Sequence, residues 1–190
     1  MNLCDSIVTL HPQAHDFLFR DYRILRRIFE DVLGQLEMNY ISINLLTVKN
    51  EVLFLSSKPS LEHNLIENQL WQYDLSLQKE FFLQHRAQLW TSLYHDDYRK
   101  ELQYYKQDVP KLKMGIAMPS FFENNRVVYS FGTQSNDTTI KSYIFNQTET
   151  LQKLGQFCLQ RIVKAIQLPV GLNLLSEKKP VLKLIVNNEQ

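Results

Sequence analysis

KMGIAMPSFF (Lys113–Phe122), a polar ENNR turn (Glu123–Arg126) and VVYSFGT (Val127–Thr133) form the stretch on which the fold turns. Two runs rich in aromatic and β-branched residues, joined by four polar ones, read as a β-hairpin. A second hairpin lies upstream. YISINLLTV (Tyr40–Val48) alternates apolar and polar at first, Lys49-Asn50-Glu51 makes the turn, and VLFLS (Val52–Ser56) returns. Outside the hairpins the period changes from two to helical. Leu18, Tyr22, Leu25, Phe29, Val32 and Leu36 recur at steps of four and three, predicting one helix from Pro12 to about Glu37. Ser60 can cap a helix that starts at Leu61 and ends near Trp71. Another is expected from Asp96, capped by that residue and closed by Pro110. Thr139 to Gln167 reads as a long helix with a break near Asn146, and Ile140, Ile144, Leu151, Leu154, Cys158, Ile162 and Ile166 share its apolar face.

Hairpins build an antiparallel sheet without crossover helices. The first and last helices are placed to cover one face, and the middle helices the other. The fold class expected is therefore α/β (α+β): an α-β-α sandwich with a central antiparallel sheet, of the kind shared by PAS- and GAF-like domains. Residues 1–168 form the domain and 169–190 a tail.

With 190 residues, 44% of them hydrophobic and 22% charged, the chain has enough apolar surface for one core. Twenty-one Lys and Arg against twenty Asp and Glu leave a net charge of +1, without the basic excess of a nucleic-acid binder. Cys4 and Cys158 are too few for a disulfide framework, no apolar run is long enough for a bilayer, and the N-terminus lacks a signal peptide's basic region. A cytoplasmic location and no membrane contact are the expectation. No Gly-rich phosphate loop, HExxH or GxSxG can be written. Of the five histidines only His95, in His95-Asp96-Asp97, suggests a metal or acid–base group, and helix capping explains that triplet better. No enzyme, metal or cofactor is expected.

Aromatics crowd between the hairpins: Trp71, Tyr73, Phe81, Phe82, Trp90 and Tyr94 surround one acid, Asp74. Rings that supply contact area, with a few polar groups to fix orientation, suit a pocket for a small, partly apolar molecule; they equally suit an aromatic-rich core. The segment Gly115-Ile116-Ala117-Met118-Pro119, its polar turn and Val127–Gly132 resemble the second hairpin of the autoinducer-binding domain of LuxR-type transcriptional regulators. Asp74 and Trp90 stand where that family has an Asp and a Trp, and the element order agrees from about residue 15 to 167. The resemblance implies a quorum-sensing signal domain. In it the Asp accepts from the amide of an acyl-homoserine lactone, the Trp bonds the lactone carbonyl, and a strand hydroxyl reaches the acyl carbonyl. Asp74, Trp90 and Ser130 match those roles, with Trp71, Tyr73 and Phe82 as further ligand-binding candidates. Leu75 follows Asp74 where the family usually has Pro, and Trp71 and Tyr73 do not reproduce its Trp-x-x-x-Tyr spacing. These departures point to a different small molecule, or to none.

Leu175–Val186 resembles the opening of the family's helix-turn-helix, and the sequence ends before a recognition helix, so no direct DNA binding is expected. The apolar stripes of the two long helices imply a homodimer, or a heterodimer with a related regulator. Two functions follow: a small-molecule sensing and dimerisation module in transcription regulation, or a protein–protein interaction module with a filled pocket. An open cavity reached by Asp74, Trp90 and Ser130 marks the first, and a closed core the second.

Overall fold

Strand alternation and helical stripes come together in the computed structural model, which describes residues 7–169. In chain order the elements are β1 (Thr9–Leu10), α1 (Ala14–Arg20), α2 (Tyr22–Glu30), β2 (Tyr40–Leu46), β3 (Glu51–Ser56), α3 (Pro59–Glu67), α4 (Lys79–Gln84), β4 (Gln88–Leu89), α5 (Arg99–Gln103), β5 (Met114–Phe122), β6 (Asn125–Thr133), α6 (Ile140–Asn146) and α7 (Thr148–Ala165). The strands form one open sheet in the order β1-β3-β2-β6-β5-β4. Both expected hairpins are present, and β2 pairs along β6 to join them, with Ser42 opposite Ser130. The turn of the second hairpin is tighter than the Glu123–Arg126 read from sequence, since β6 already begins at Asn125, and β1 adds a short parallel edge on β3 that the sequence pattern did not signal.

The sheet has two differently built faces. Ile41, Ile43 and Leu45 of β2, Leu53 and Leu55 of β3, and Val127, Tyr129 and Phe131 of β6 point to a mainly apolar layer with α1, α2 and α7. The intervening residues face the middle helices, where Tyr40, Phe54, Val128 and Trp90 pack with Leu61, Leu65, Trp71 and Phe81. The α-β-α arrangement is thus present, with the first and last helices on one face.

Several local expectations are corrected. The helix from Pro12 to Glu37 is two helices: α1 ends at Arg20 and α2 at Glu30, and left-handed backbone at Gly34 and Leu36 takes the chain toward β2. The break has a packing reason. Phe17 belongs to the apolar layer and Leu18 to the other, so α1 sits at the margin between them. Pro59, not Leu61, opens α3, because its missing N–H is an unpaired position there anyway. His95, not Asp96, caps the turn before α5 by accepting from the amide of Asp97. The final helix breaks at Gln147, beside the expected Asn146. The tail from residue 170 and Cys4 lie outside the described residues. Among the described residues no helix is long and apolar enough to cross a membrane.

The two faces meet most tightly at Gly115, where the Trp90 ring lies flat against β5. A Cβ there would fall 2.0 Å from the ring. Trp90 is buried and hydrogen-bonded, so it cannot step aside. Gly115→Ala should therefore cost about 3 kcal/mol, the upper end for overpacking, read by urea unfolding with tryptophan fluorescence.

Candidate functional site

In β2 the alternation Tyr40, Ser42, Asn44 would ordinarily put polar residues into solvent. Here every residue of β2 is buried, and Ser42, Asn44, Ser56 and Ser130 face the middle helices. Buried polar atoms need partners. Those partners define the site.

Asp74 is held by a short turn in which it accepts from the Ser76 amide at 3.0 Å, and a β-bridge pairs it with Tyr94. Its other oxygen, Oδ2, takes a hydrogen bond of 2.5 Å from the Lys106 ammonium, and each residue is 5% exposed. Lys106 comes from a π-helical turn, Tyr104–Asp108, that continues α5. The wider turn buries two successive residues, Lys106 and Gln107, and leaves Tyr104 outside. The ammonium stands 4.6 Å from the Trp90 ring centre and 5.4 Å from that of Tyr94. Both rings offer their electron-rich faces to the charge. Gln107 accepts from the Tyr94 hydroxyl at 3.1 Å and donates to the Lys113 carbonyl at 3.2 Å.

Trp90 Nε1 donates to Ser130 Oγ at 2.8 Å. On the facing helix, Glu62 accepts a short hydrogen bond from the Tyr40 hydroxyl. Its other oxygen, Oε2, is shut away from solvent with no partner in hydrogen-bonding geometry among the described residues. Burial pushes the Glu62 carboxyl up to about 7, against the opposing pull of nearby Ser56, Tyr40 and Lys106. Burial first, then the Glu62 charge, raises the Tyr40 phenol well above its usual range. Burial likewise raises the Cys158 thiol to about 12, so this cysteine is no nucleophile at neutral pH.

Asp74, Trp71 and Ser130 converge on one cavity with Lys106, Glu62 and Tyr40, and its volume is about 10 Å³. That is room for about one water molecule. Trp90 closes against it through Ser130. Tyr73 turns away and stacks on Tyr98, with ring centres 3.6 Å apart. Phe82 sits farther along the sheet, beside Phe121 and under the Arg126 guanidinium. Sequence reasoning missed Lys106, Glu62 and Tyr40. Two of them carried a signal: Glu62 shares the face of Leu65 and Ile66, and Lys106 follows buried Leu102 by four residues.

No family model matches the chain, and no curated protein does. Solved structures do. SdiA of Escherichia coli is 14% identical over 79% of this chain, with a TM-score of 0.52. SdiA in complex with octanoyl-rac-glycerol is 16% identical over 79%, with a TM-score of 0.53. CepR2 of Burkholderia cenocepacia, an N-acylhomoserine lactone dependent LuxR family transcription factor, is 12% identical over 78%, with a TM-score of 0.55. The match spans 66% of the SdiA chain and 98% of the CepR2 chain. At these identities the likeness establishes the fold, which is that of the LuxR-family autoinducer-binding domains.

Two measurements check the electrostatics. Asp74→Asn leaves the Lys106 charge buried without its counter-ion and should cost about 3–5 kcal/mol in urea unfolding, whereas Asp74→Asn with Lys106→Met should cost clearly less than either change alone. Glu62 binds its proton more tightly in the folded chain than in the unfolded one. Its stabilising contribution is complete below the ordinary carboxylate value of 4.5 and is lost as pH rises to about 7. Between about pH 4.5 and pH 7 the thermal midpoint of the parent should therefore fall relative to that of Glu62→Gln.

Proposed function

We propose that the chain is a regulatory module on the signal-binding fold whose pocket is filled by its own side chains, and that it works through contacts with a partner regulator. The observation that carries this reading is the mutual pairing of the site. Asp74 is taken by Lys106 and Trp90 by Ser130, around a cavity of about 10 Å³. An acyl-homoserine lactone that used Asp74 and Trp90 would have to displace a buried ammonium and break an internal hydrogen bond. Each exchange costs the group left unpaired. The outer helices supply the contact surface: Ile24 on α2, Tyr143 on α6 and Phe157 on α7 are large apolar residues left more than two-fifths exposed. Pairing with a second copy, or with a related full-length regulator, covers them.

A second reading, sensing of a small polar molecule, is favoured by the unpartnered Glu62 Oε2 and the polar wall of Ser42, Asn44 and Ser130. Thermal melts with N-acyl-homoserine lactones of short and long chain, and with extract of the host, separate the two. The filled-pocket reading expects no saturable shift in the parent protein and a dimer in sedimentation, alone or with a LuxR-type regulator. A saturable lactone shift lost in Asp74→Asn would overturn it. A shift with extract alone, abolished by Glu62→Gln, would replace it with the second reading.

A further inference from the structure

α1 and α3 pack against each other at the margin of the sheet, and their contact gathers three side chains of metal-binding type, none of which lines the pocket. His63 and Glu67 stand four residues apart in α3 and so share one helical face. His15, second residue of α1, reaches across, and its Nε2 lies 2.5 Å from Glu67 Oε1. The two imidazole rings meet edge to face with centres 5.0 Å apart. One ligand atom from each of the three residues lies within 4.8 Å of the other two. Around a tetrahedral ion with bonds near 2.0–2.1 Å, such atoms would be separated by about 3.3 Å. Small side-chain rotations close that difference.

His63 supplies the second observation. Its Nδ1 is shut away from solvent and has no hydrogen-bond partner among the described residues. Phe19, one turn after His15, sets its ring 5.6 Å from that of His63 and screens the pair. His15 and Glu67 stay about half exposed, so an ion has a path of entry.

We infer that His15, His63 and Glu67 form a binding site for a divalent transition metal of the zinc class. Two imidazole nitrogens and one carboxylate oxygen are the donor set that suits zinc; calcium and magnesium prefer oxygen-only shells. Three protein ligands leave a fourth position for water or for a group brought by a partner. The ion takes the place of the direct contact between His15 and Glu67, and its charge is partly neutralised by the carboxylate. Its structural effect follows from what the helices carry. α3 bears Glu62 toward the pocket, and α1 ties the two layers through Phe17 and Leu18. Joining them fixes the pocket wall from outside.

The test uses the untagged full chain, stripped with chelator. Zinc titration by calorimetry should give one saturable equivalent and a raised thermal midpoint, and cobalt(II) should give the visible bands of a tetrahedral site. His15→Gln, His63→Gln and the surface change Glu67→Gln should each weaken binding by more than about a hundredfold, beyond the range for a merely supporting group. His95→Ala, on the other histidine next to carboxylates, should bind as the parent does. Near-ultraviolet circular dichroism confirms that each variant is folded, and Glu67→Gln, at an exposed position, keeps the test decisive if a histidine variant is not. No saturable equivalent in the parent, or undiminished binding in Glu67→Gln and a folded histidine variant, would overturn the site.

Discussion

The Asp74–Lys106 ion pair constrains everything on the polar side of the sheet. A charge removed from water must be neutralised nearby or lost, and both partners here are almost wholly enclosed. Asp74 is presented by a short turn braced against Tyr94, and Lys106 by a π-helical turn that pushes two consecutive residues inward. Trp90 and Tyr94 flank the ammonium, and Trp90 is in turn pressed against Gly115 and bonded to Ser130. The middle helices thus owe their positions to polar pairing as much as to apolar burial.

The opposite face works by a different rule. Its helices α2 and α7 close over residues of β2, β3 and β6 that carry no charge, and Tyr129 presses close against Gly155. Burial of apolar area is non-directional and tolerates repacking. The polar face is directional: each donor there needs a specific acceptor. A fold that keeps its apolar face generic can vary the polar one without losing the sheet. That division accounts for a chain whose backbone follows SdiA and CepR2 at 12–16% identity while its pocket groups are paired with one another.

Glu62 is where the polar face remains incompletely satisfied. Tyr40 supplies one hydrogen bond, and the second oxygen has none among the described residues. The group therefore holds its proton to about 7 and couples the pocket to pH near neutrality. The histidines on the outer side of the same helix give α3 a second handle, so the wall of the pocket is addressable from within and from outside.

The sequence by itself determined the two hairpins, the helical stretches around them and the layer order, because local period and turn chemistry are written in neighbouring residues. It also singled out Asp74, Trp90 and Ser130, which do meet at one place. Only the tertiary structure decided what they meet. Lys106 lies 32 residues beyond Asp74, Ser130 lies 40 beyond Trp90, and Glu67 lies 52 beyond His15. No local pattern records such pairings. The alternation of Ser42 and Asn44 shows only that the strand has two sides, since period two does not report how closely each is covered. Charge pairing and enclosure are properties of the packed chain, and they settle whether a polar cluster is an open pocket or a closed one.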